Sequence, residues 1–366
     1  MAVFIHQHAH WTNFTWNAAM LLPVLGKVRN LQGQLTGKMS SLGFGLKQDA
    51  FLETVMLDVL KTSEIEGEFL RSDQVRSSVA RHLGMDIGGL ILSDRDVDGV
   101  VEMTLDAARN YDQPMSDERL FGWHAALFPT GRSGLYKTNA GQWRKDEKGP
   151  MQVVSGAVGK EHIHFQAPDA ARVALEMQTF MDWFNAEREL DSVLKAGIAH
   201  LWFITIHPFD DGNGRIARAI TDLQLSKAEE NPQRFYSMSA QIRKTRSNYY
   251  QILEKTQRGT SDITEWLLWF LTCLENALRA TDTTLKGVLD KARFWEKNAT
   301  TMLNERQILL INKLFESFEG KLTSSKWAKI AKCSPDTALR DIQDLLNKGI
   351  LQKETAGGRS TGYGLV

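Results

Sequence analysis

Residues 207–218 read His-Pro-Phe-Asp-Asp-Gly-Asn-Gly-Arg-Ile-Ala-Arg, and an apolar run ends just before them at Ile206. Apolar spacing resumes at Ile216, so the pattern predicts two helices joined by a glycine-rich turn. A helix N-terminus presents unpaired N–H groups and a partial positive charge. Gly212 and Gly214 would let the backbone approach a ligand closely. The turn is therefore predicted to bind an anion such as a phosphate.

The polar side chains of this turn suit phosphate-transfer chemistry. Arg215 and Arg218 carry forked N–H donors that match phosphate oxygens. Asp211 is a hard oxygen ligand, suited to a magnesium ion that bridges phosphates. His207 stands at the edge of the turn and could take a proton from an attacking hydroxyl. A Gly-Asn-Gly sequence alone is usually an ordinary turn, but the full combination of base, metal ligand and arginines is specific.

The bulk composition indicates an ordinary globular chain. Its 366 residues suggest two or three domains, and 42% hydrophobic with 24% charged residues is typical of soluble proteins. The formal net charge of zero gives no general attraction to nucleic acid or membrane. Two cysteines exclude a disulfide framework, and neither a secretion signal nor a membrane-spanning run is visible. We therefore expect a cytoplasmic protein without membrane association.

The remaining pattern is mainly helical, with one predicted β-hairpin. Helical periodicity covers 17–43, 47–63, 72–83, 94–110, 117–128, 169–187, 191–206, 239–257 and 263–298. A hairpin is predicted at about 150–165, where His162 and His164 alternate on one strand face. A zinc pair is one interpretation of these histidines, and exposed or stacked strand histidines are the plainer one. His-rich residues 1–16 similarly suggest packed aromatic side chains in preference to a metal site.

The last 65 residues form a separate pattern. Three helices, at 305–318, 324–331 and 334–347, precede two short strands, which predicts a winged helix-turn-helix domain over 301–366. Residues 302–366 hold ten Lys or Arg against seven Asp or Glu, only a mild positive excess. The third helix carries three aspartates and a single arginine, which opposes entry into a DNA groove. We therefore favour a docking module over a DNA reader.

Residues 207–218 resemble the signature of the Fic family, His-x-Phe-x-(Asp/Glu)-Gly-Asn-Gly-Arg-x-x-Arg, and match it at every fixed position. The hairpin at about 150–165 is placed like the family's flap. The stretch Thr62-x-x-x-Glu66-Gly67 resembles the family's inhibitory motif, (Ser/Thr)-x-x-x-Glu-(Gly/Asn). The resemblance covers about 280 of the 366 residues. It implies a mainly α fold, with a Fic-type helical core, a small β-hairpin flap and the C-terminal winged helix-turn-helix domain.

Four segments are predicted on this basis. They are an N-terminal helical region with the inhibitory motif (1–110), a Fic catalytic core (111–280), a helical linker (281–300) and the winged-helix domain (301–366).

The family transfers a nucleoside monophosphate, usually AMP from ATP, to a protein hydroxyl. The resemblance implies that His207 is the base acting on a target Ser, Thr or Tyr, and that Asp211 holds Mg²⁺. Arg215 would bind the β-phosphate and Arg218 the γ-phosphate, while Phe209 would be a buried anchor of the loop. The phosphate cradle would comprise Gly212, Asn213 and Gly214.

Two further roles follow from the same resemblance. Tyr250 and Gln257 are weaker candidates for contacts with adenosine. The flap would pair with an extended target segment as an added strand. The flap residues in question are His162, Ile163 and His164.

Glu66 is predicted to inhibit the enzyme. A glutamate near a helix C-terminus is unfavourable unless a cation offsets the helix dipole. In the family that cation is the second arginine of the signature, here Arg218. Glu66 would then occupy the position of the γ-phosphate and hold ATP unproductively.

Other interpretations stay open. The same residues would serve removal of AMP from a modified protein, or transfer from UTP, GTP or a phosphocholine donor. A DNA-binding regulator acting through the C-terminal domain is an alternative of another class. The expected partners are ATP and a target protein with an acceptor hydroxyl; self-modification and a homodimer remain open.

Overall fold

The structure is a computed structural model that describes residues 3–85, 90–147, 149–156, 162–186, 189–315, 320–354 and 362–366. The chain divides into two compact units, Met1–Thr281 and Asp282–Val366. The finer segment boundaries at residues 110 and 300 remain predictions. Within the described residues, no helix is both long and apolar enough to span a membrane.

The mainly helical prediction is confirmed in the described residues. In chain order the helices are α1 Ala18–Ser40, α2 Phe44–Ile65, α3 Ser72–Leu83, α4 Arg95–Arg109, α5 Asp117–Leu127, α6 Ala170–Asn185, α7 Ser192–Ile206, α8 Asn213–Glu229, α9 Met238–Lys244, α10 Arg246–Gln257, α11 Thr264–Thr284, α12 Lys286–Lys297, α13 Glu305–Phe315, α14 Ser324–Ile330 and α15 Pro335–Asn347. The helical region predicted over 263–298 consists of two helices, α11 and α12, and the threonines at the end of α11 weaken the helix there because they are β-branched.

Three antiparallel strand pairs complete the described structure. The strands are β1 Arg132–Ser133, β2 Tyr136–Lys137, β3 Gln152–Ser155, β4 His162–Gln166, β5 Leu351–Lys353 and β6 Tyr363–Leu365. The pair β3–β4 confirms the predicted hairpin, with an irregularity in register between Val153 and Val154. Its connecting residues 157–161 lie outside the described part of the chain.

Helix α7 lies at the centre of the first unit. Every residue from 193 to 206 is buried, as expected of a helix that is apolar on all faces. Its two ionisable residues bond internally: Lys195 donates to the carbonyl of Ala186, and His200 bonds the hydroxyls of Thr221 and Tyr249. The helix packs along α8, which is also largely buried, so the two helices hold both ends of the turn in place.

The N-terminal aromatic segment packs against the hairpin. Phe4 and Phe165 meet edge to face at 5.3 Å, and the His6 ring is buried and bonds the carbonyl of Gln166 at 2.8 Å. The packed interpretation of this segment is therefore correct for His6. His8 and His10 are exposed.

The second unit has its own core, built from α13, α14, α15 and the β5–β6 pair. Buried side chains such as Leu310, Trp327 and Ile342 form it. Ser334 caps α15 by accepting the N–H of Thr337, as the sequence indicates. This element order matches the predicted one, and the winged-helix assignment stays a prediction.

The charge argument about α15 needs correction. Asp341 is buried and accepts hydrogen bonds from Arg306 at 2.8 and 3.0 Å. Asp344 bonds Lys348 and Gln307. The sequence-based count treated both aspartates as exposed negative charges, but their partners neutralise them. The charge of α15 therefore opposes DNA binding less than predicted.

Candidate active site

The site is built on the turn between α7 and α8, as the sequence predicts. His207 ends α7 with a φ of 52°, in the left-handed region. Gly212 precedes α8 with a φ of 78°, and a Cβ there would lie 3.0 Å from the Phe128 ring. The Asn213 side chain closes the turn by accepting the N–H of Phe209 at 3.0 Å and donating to its carbonyl at 2.8 Å. These contacts hold the turn in one conformation.

Phe209 anchors the turn and is fully buried. It stacks on His124, with ring centroids 4.1 Å apart and nearly parallel planes. His124 Nδ1 accepts the N–H of Gly141 at 3.0 Å, so its Nε2–H donates to the carbonyl of Asp211 at 3.2 Å. Burial lowers the pKa of His124 to about 4, so this ring is a neutral structural link at physiological pH.

Arg144 holds the same turn from the other side. Its buried guanidinium donates from Nε to the carbonyl of His207 at 2.8 Å. Its backbone N–H donates to the carbonyl of Pro208 at 2.9 Å. Asp146 balances the charge at 2.5 Å. Sequence reasoning missed Arg144 and His124 because no local spacing connects them to the turn.

His207 is half-buried and neutral. Its Nδ1 lies 3.2 Å from the carbonyl of Ile204, which can only accept, so Nδ1 carries the proton. The Nε2 atom then keeps its lone pair. Burial lowers the pKa of His207 to about 4, and the positive charge of Arg144 also lowers it. The imidazole can therefore accept a proton at neutral pH.

The Asp211 carboxylate is held in place by two donors. Its Oδ1 accepts the N–H of Gly212 at 2.6 Å, and its Oδ2 accepts the hydroxyl of Ser133. Each carboxylate oxygen can accept more than one bond, so lone pairs remain for a hard cation. The donor set fits Mg²⁺ shared with the oxygens of a bound phosphate.

Glu66 and Glu68 are positioned by the C-terminal cap of α2. Gly67 adopts a φ of 86°, its N–H bonds the carbonyl of Glu64, and the N–H of Glu68 bonds the carbonyl of Ser63. This pair of bonds is a Schellman motif, which glycine favours because it lacks a Cβ. Glu66 precedes Gly67 and Glu68 follows it, so the same cap positions both side chains.

Glu66 contacts Arg218 directly. Its Oε1 lies 2.7 Å from Nη2 of Arg218. Arg218 also donates from Nε to the Thr62 hydroxyl at 2.7 Å and from Nη2 to the Thr62 carbonyl at 3.0 Å. A Cβ on Gly214 would lie 2.2 Å from Oε1 of Glu66. The carboxylate therefore lies against the first turn of α8, where a helix favours an anion.

Glu68 is a site residue that the sequence did not reveal. Its Oε2 lies 2.7 Å from Nη1 of Arg215, whose guanidinium also lies over the Phe128 ring at 5.2 Å. Burial raises the pKa of Glu68, and the negative charges of Asp211 and Glu66 add to this against the opposing effect of Arg215. Both arginines of the turn are therefore paired with carboxylates from one segment of α2 and its cap.

The two arginines retain capacity for another anion. Nε of Arg215 and Nη1 of Arg218 are buried and make no hydrogen bond with the described residues. Buried donors without partners are costly, so a ligand that satisfies them would gain binding energy. Phosphate oxygens suit both atoms.

Residues 114–225, which include this turn, match the sequence model of the Fic/DOC family. The chain contains a Fic domain. Residues 4–85, which include Glu66 and Glu68, match a model described as a domain of unknown function, DUF4172. The ion pairs of Glu66 and Glu68 therefore join two separately recognised regions of sequence.

Curated relatives carry the name protein adenylyltransferase Fic. Those of Drosophila willistoni and Drosophila grimshawi are each 34% identical over 113 residues, which is 30% of this chain. The match spans only 21% and 22% of those relatives. The likeness therefore concerns under a third of this chain and about a fifth of those relatives.

Solved structures share the fold. A Fic family protein of Desulfovibrio desulfuricans gives a TM-score of 0.58 at 19% identity and covers 96% of this chain and 97% of its own. A Fic domain protein of Bacteroides thetaiotaomicron gives 0.51 at 20% identity, over 73% of this chain and 97% of its own. The mainly α, Fic-type prediction is confirmed at this level.

The other predicted site residues have mixed environments. Tyr250 is partly exposed and lies under the guanidinium of Arg246 at 5.2 Å. Burial raises the pKa of the Tyr250 phenol, and the negative charge of Glu66 raises it further. Gln257 is buried and donates to the Thr205 hydroxyl at 3.3 Å.

The flap residues lie on β4, beside α10. His162 and Ile163 are exposed and His164 is half-buried. Arg258 donates to the carbonyls of Ile163 and His164 at 2.5 and 3.1 Å. These bonds hold β4 against the C-terminal end of α10.

The protonation state of His207 can be tested directly. We expect its imidazole to remain neutral at about pH 5.5, well below the ordinary histidine pKa of ~6.5. Imidazole ¹⁵N signals, assigned by comparison with His207→Ala, would give the titration. A midpoint near the ordinary value would contradict the buried environment. Folding lowers the pKa of His207, so the free energy of unfolding should also decrease as the pH falls from about 6.5 toward 4.

The cap at Gly67 can be tested with two matched substitutions. Gly67→Ala should destabilise the protein by about 1 kcal/mol, because alanine is strained in the left-handed region. Gly33→Ala, in the exposed middle of α1, should stabilise it by about 0.5–1 kcal/mol. Thermal midpoints of the two variants would show opposite shifts. Equal shifts would mean that Gly67 has no special backbone role.

Proposed function

We propose that this protein is an autoinhibited AMP-transferase, which moves AMP from ATP to a Ser, Thr or Tyr hydroxyl of a target protein. The observation that carries the proposal is the Glu66–Arg218 pair at the first turn of α8, beside a neutral His207. The adenylyltransferase names of the Drosophila relatives support the reaction class.

The chemistry assigns one proton transfer to the protein. Nε2 of His207 takes the proton of the target hydroxyl as its oxygen attacks the α-phosphorus of ATP. The bond from the α-phosphorus to the bridging oxygen breaks, and pyrophosphate leaves with the bond's electron pair. Arg215 and Arg218 neutralise charge on the β- and γ-phosphates. Positioning and charge neutralisation are the main demands of such a transfer.

Asp211 would hold Mg²⁺ together with the phosphates, and the ion would supply further neutralisation of their charge. The other contacts between the turn and the phosphates would come from its backbone. Asn213 and Gly214 would present N–H groups of the α8 N-terminus to phosphate oxygens, and Gly212, whose N–H binds Asp211, would let the backbone approach the phosphate closely. Ser133 keeps the Asp211 side chain oriented for its role.

Inhibition follows from competition for the arginines. The Glu66 carboxylate takes the place that the γ-phosphate would need at Arg218. The Glu68 carboxylate takes a donor of Arg215 that the β-phosphate would need. ATP in a productive pose must displace both. Glu66 contributes more, because its side chain is less exposed than that of Glu68, 29% against 45%, and because it lies directly against Gly214.

The locations of the target segment and of adenosine are proposed from the positions of the flap and of α10. An extended target segment would lie along the flap at His162–His164, and adenosine would lie near Tyr250 and Gln257. Self-modification and a homodimer fit the same chemistry. The C-terminal domain is proposed as a winged-helix docking module. With Cys273 and Cys333 both free, we propose the reducing cytosol as the location.

Glu66→Gly should raise the rate of AMP transfer at least tenfold, which corresponds to a free-energy difference of about 1.4 kcal/mol. Labelled ATP with the cytosol of the source cells, read by mass spectrometry, would measure it and reveal target, donor and self-modification together. Glu64→Gly is the matched control, since Glu64 pairs with Lys61 and Arg243 outside the site. His207→Ala should abolish transfer in either background.

Two outcomes would count against this function. Transfer that survives His207→Ala would remove the assigned base. A Glu66→Gly protein that binds ATP yet modifies neither itself nor any cytosolic protein would contradict the transferase. Loss of AMP from a pre-modified target would instead identify the reverse reaction as the main activity.

Glu68→Gln should have a smaller effect than Glu66→Gly. Glu68 is 45% exposed at its side chain, and exposed ion pairs contribute only about 0–1 kcal/mol. In the Glu66→Gly background, we expect the second change to lower the KM for ATP about two- to fivefold. Steady-state kinetics would measure it. An unchanged KM would show that Glu68 does not compete with ATP.

A further inference from the structure

We propose that His162, His164 and Glu254 form a binding site for a divalent transition-metal ion such as Zn²⁺, which clamps the flap strand β4 onto α10. The site lies outside the catalytic turn and uses none of its residues. Each of the three side chains offers one ligand atom, and these atoms lie within 4.8 Å of one another. No other group of three or more such ligands occurs in the described part of the chain.

The ligands come from two elements that face each other. His162 and His164 are two residues apart on β4, so they share one face of the strand, with ring centroids 4.6 Å apart. Glu254 reaches them from α10. Its Oε2 lies 2.6 Å from Nδ1 of His164, and its Oε1 lies 3.5 Å from Nε2 of His162. Imidazole and carboxylate together are a usual ligand set for zinc.

The distances require only small side-chain movements. Zinc–nitrogen bonds of ~2.0–2.1 Å place tetrahedral ligand atoms roughly 3.3–3.5 Å apart. The Glu254–His164 contact must open by less than about 1 Å, and the widest separation, at most 4.8 Å, must close by up to about 1.4 Å. The His162 side chain is 65% exposed, so it can rotate toward the others. Three protein ligands would leave the fourth position to solvent.

The surroundings already hold the ligands in place. Arg258, one turn after Glu254, binds the carbonyls of Ile163 and His164, which keeps β4 beside α10 without an ion. The Ser155 hydroxyl lies 2.6 Å from Nε2 of His164. A partner on the second ring nitrogen orients a metal-binding histidine, so Ser155 has the position of such a support.

Arg258 also limits the affinity. Its Nε lies 3.3 Å from Oε1 of Glu254, so its positive charge competes with a cation. We therefore expect an exchangeable ion and not a permanent one. Histidine and carboxylate side chains bind a metal ion only when deprotonated, so protons compete with the ion for these ligands.

Zinc titration of the metal-stripped full chain tests the site without any activity measurement. Isothermal calorimetry in excess Mg²⁺, which occupies hard oxygen sites, should give one equivalent of Zn²⁺ with a dissociation constant in the micromolar range. Glu254→Gln should weaken it at least tenfold, and His162→Ala/His164→Ala should abolish it. Co²⁺ should give visible absorbance with the wild type and none with the double histidine variant.

His82→Ala is the matched control, because His82 also lies beside a glutamate, Glu102, at 3.6 Å, but without a second histidine. It should bind zinc as the wild type does. Zinc bound equally by the double histidine variant, or no zinc bound by the wild type, would overturn the proposal. Either result would leave the transferase proposal intact, since that rests on the α7–α8 turn.

Discussion

The contact between the Glu66 carboxylate and the Arg218 guanidinium joins the end of α2 to the start of α8. The negative end of one helix dipole meets the positive end of another there. The last four carbonyls of α2 are all satisfied at this junction. Arg218 binds that of Thr62, the cap binds the next two, and Arg246 binds that of Ile65. The acidic cap is therefore stable although α2 has no basic residue in its last turn.

The catalytic turn is fixed by groups that take no part in chemistry. Arg144 binds two of its carbonyls, His124 supports Phe209 and Asp211, and Asn213 closes it internally. None of these contacts needs a ligand. The turn is thus organised in advance, so the regulation proposed above would act through the arginines while His207 and its loop stay unchanged. A neutral imidazole in such a setting requires no reorganisation before it accepts a proton.

Much of this architecture could be predicted from local pattern. The α7–turn–α8 unit, the hairpin and the cap of α15 at Ser334 follow from periodicity, glycine placement and capping preferences. The charge of α15 was misjudged, because burial of Asp341 beside Arg306 depends on packing between helices far apart in sequence. Arg144 was missed for the same reason: an isolated arginine in a loop has no periodic signal.

The sequence by itself determined the residue types of the turn at 207–218, its helical flanks and the presence of an acidic motif upstream. These are local properties, set by spacing along one segment. Only the tertiary structure decided that Arg215 pairs with Glu68, and that His162 and His164 meet Glu254. Such contacts depend on which faces of distant elements pack together, and 147 residues separate Glu68 from Arg215. No local preference encodes a contact across that separation, because burial of the whole α7–α8 core brings the two residues together.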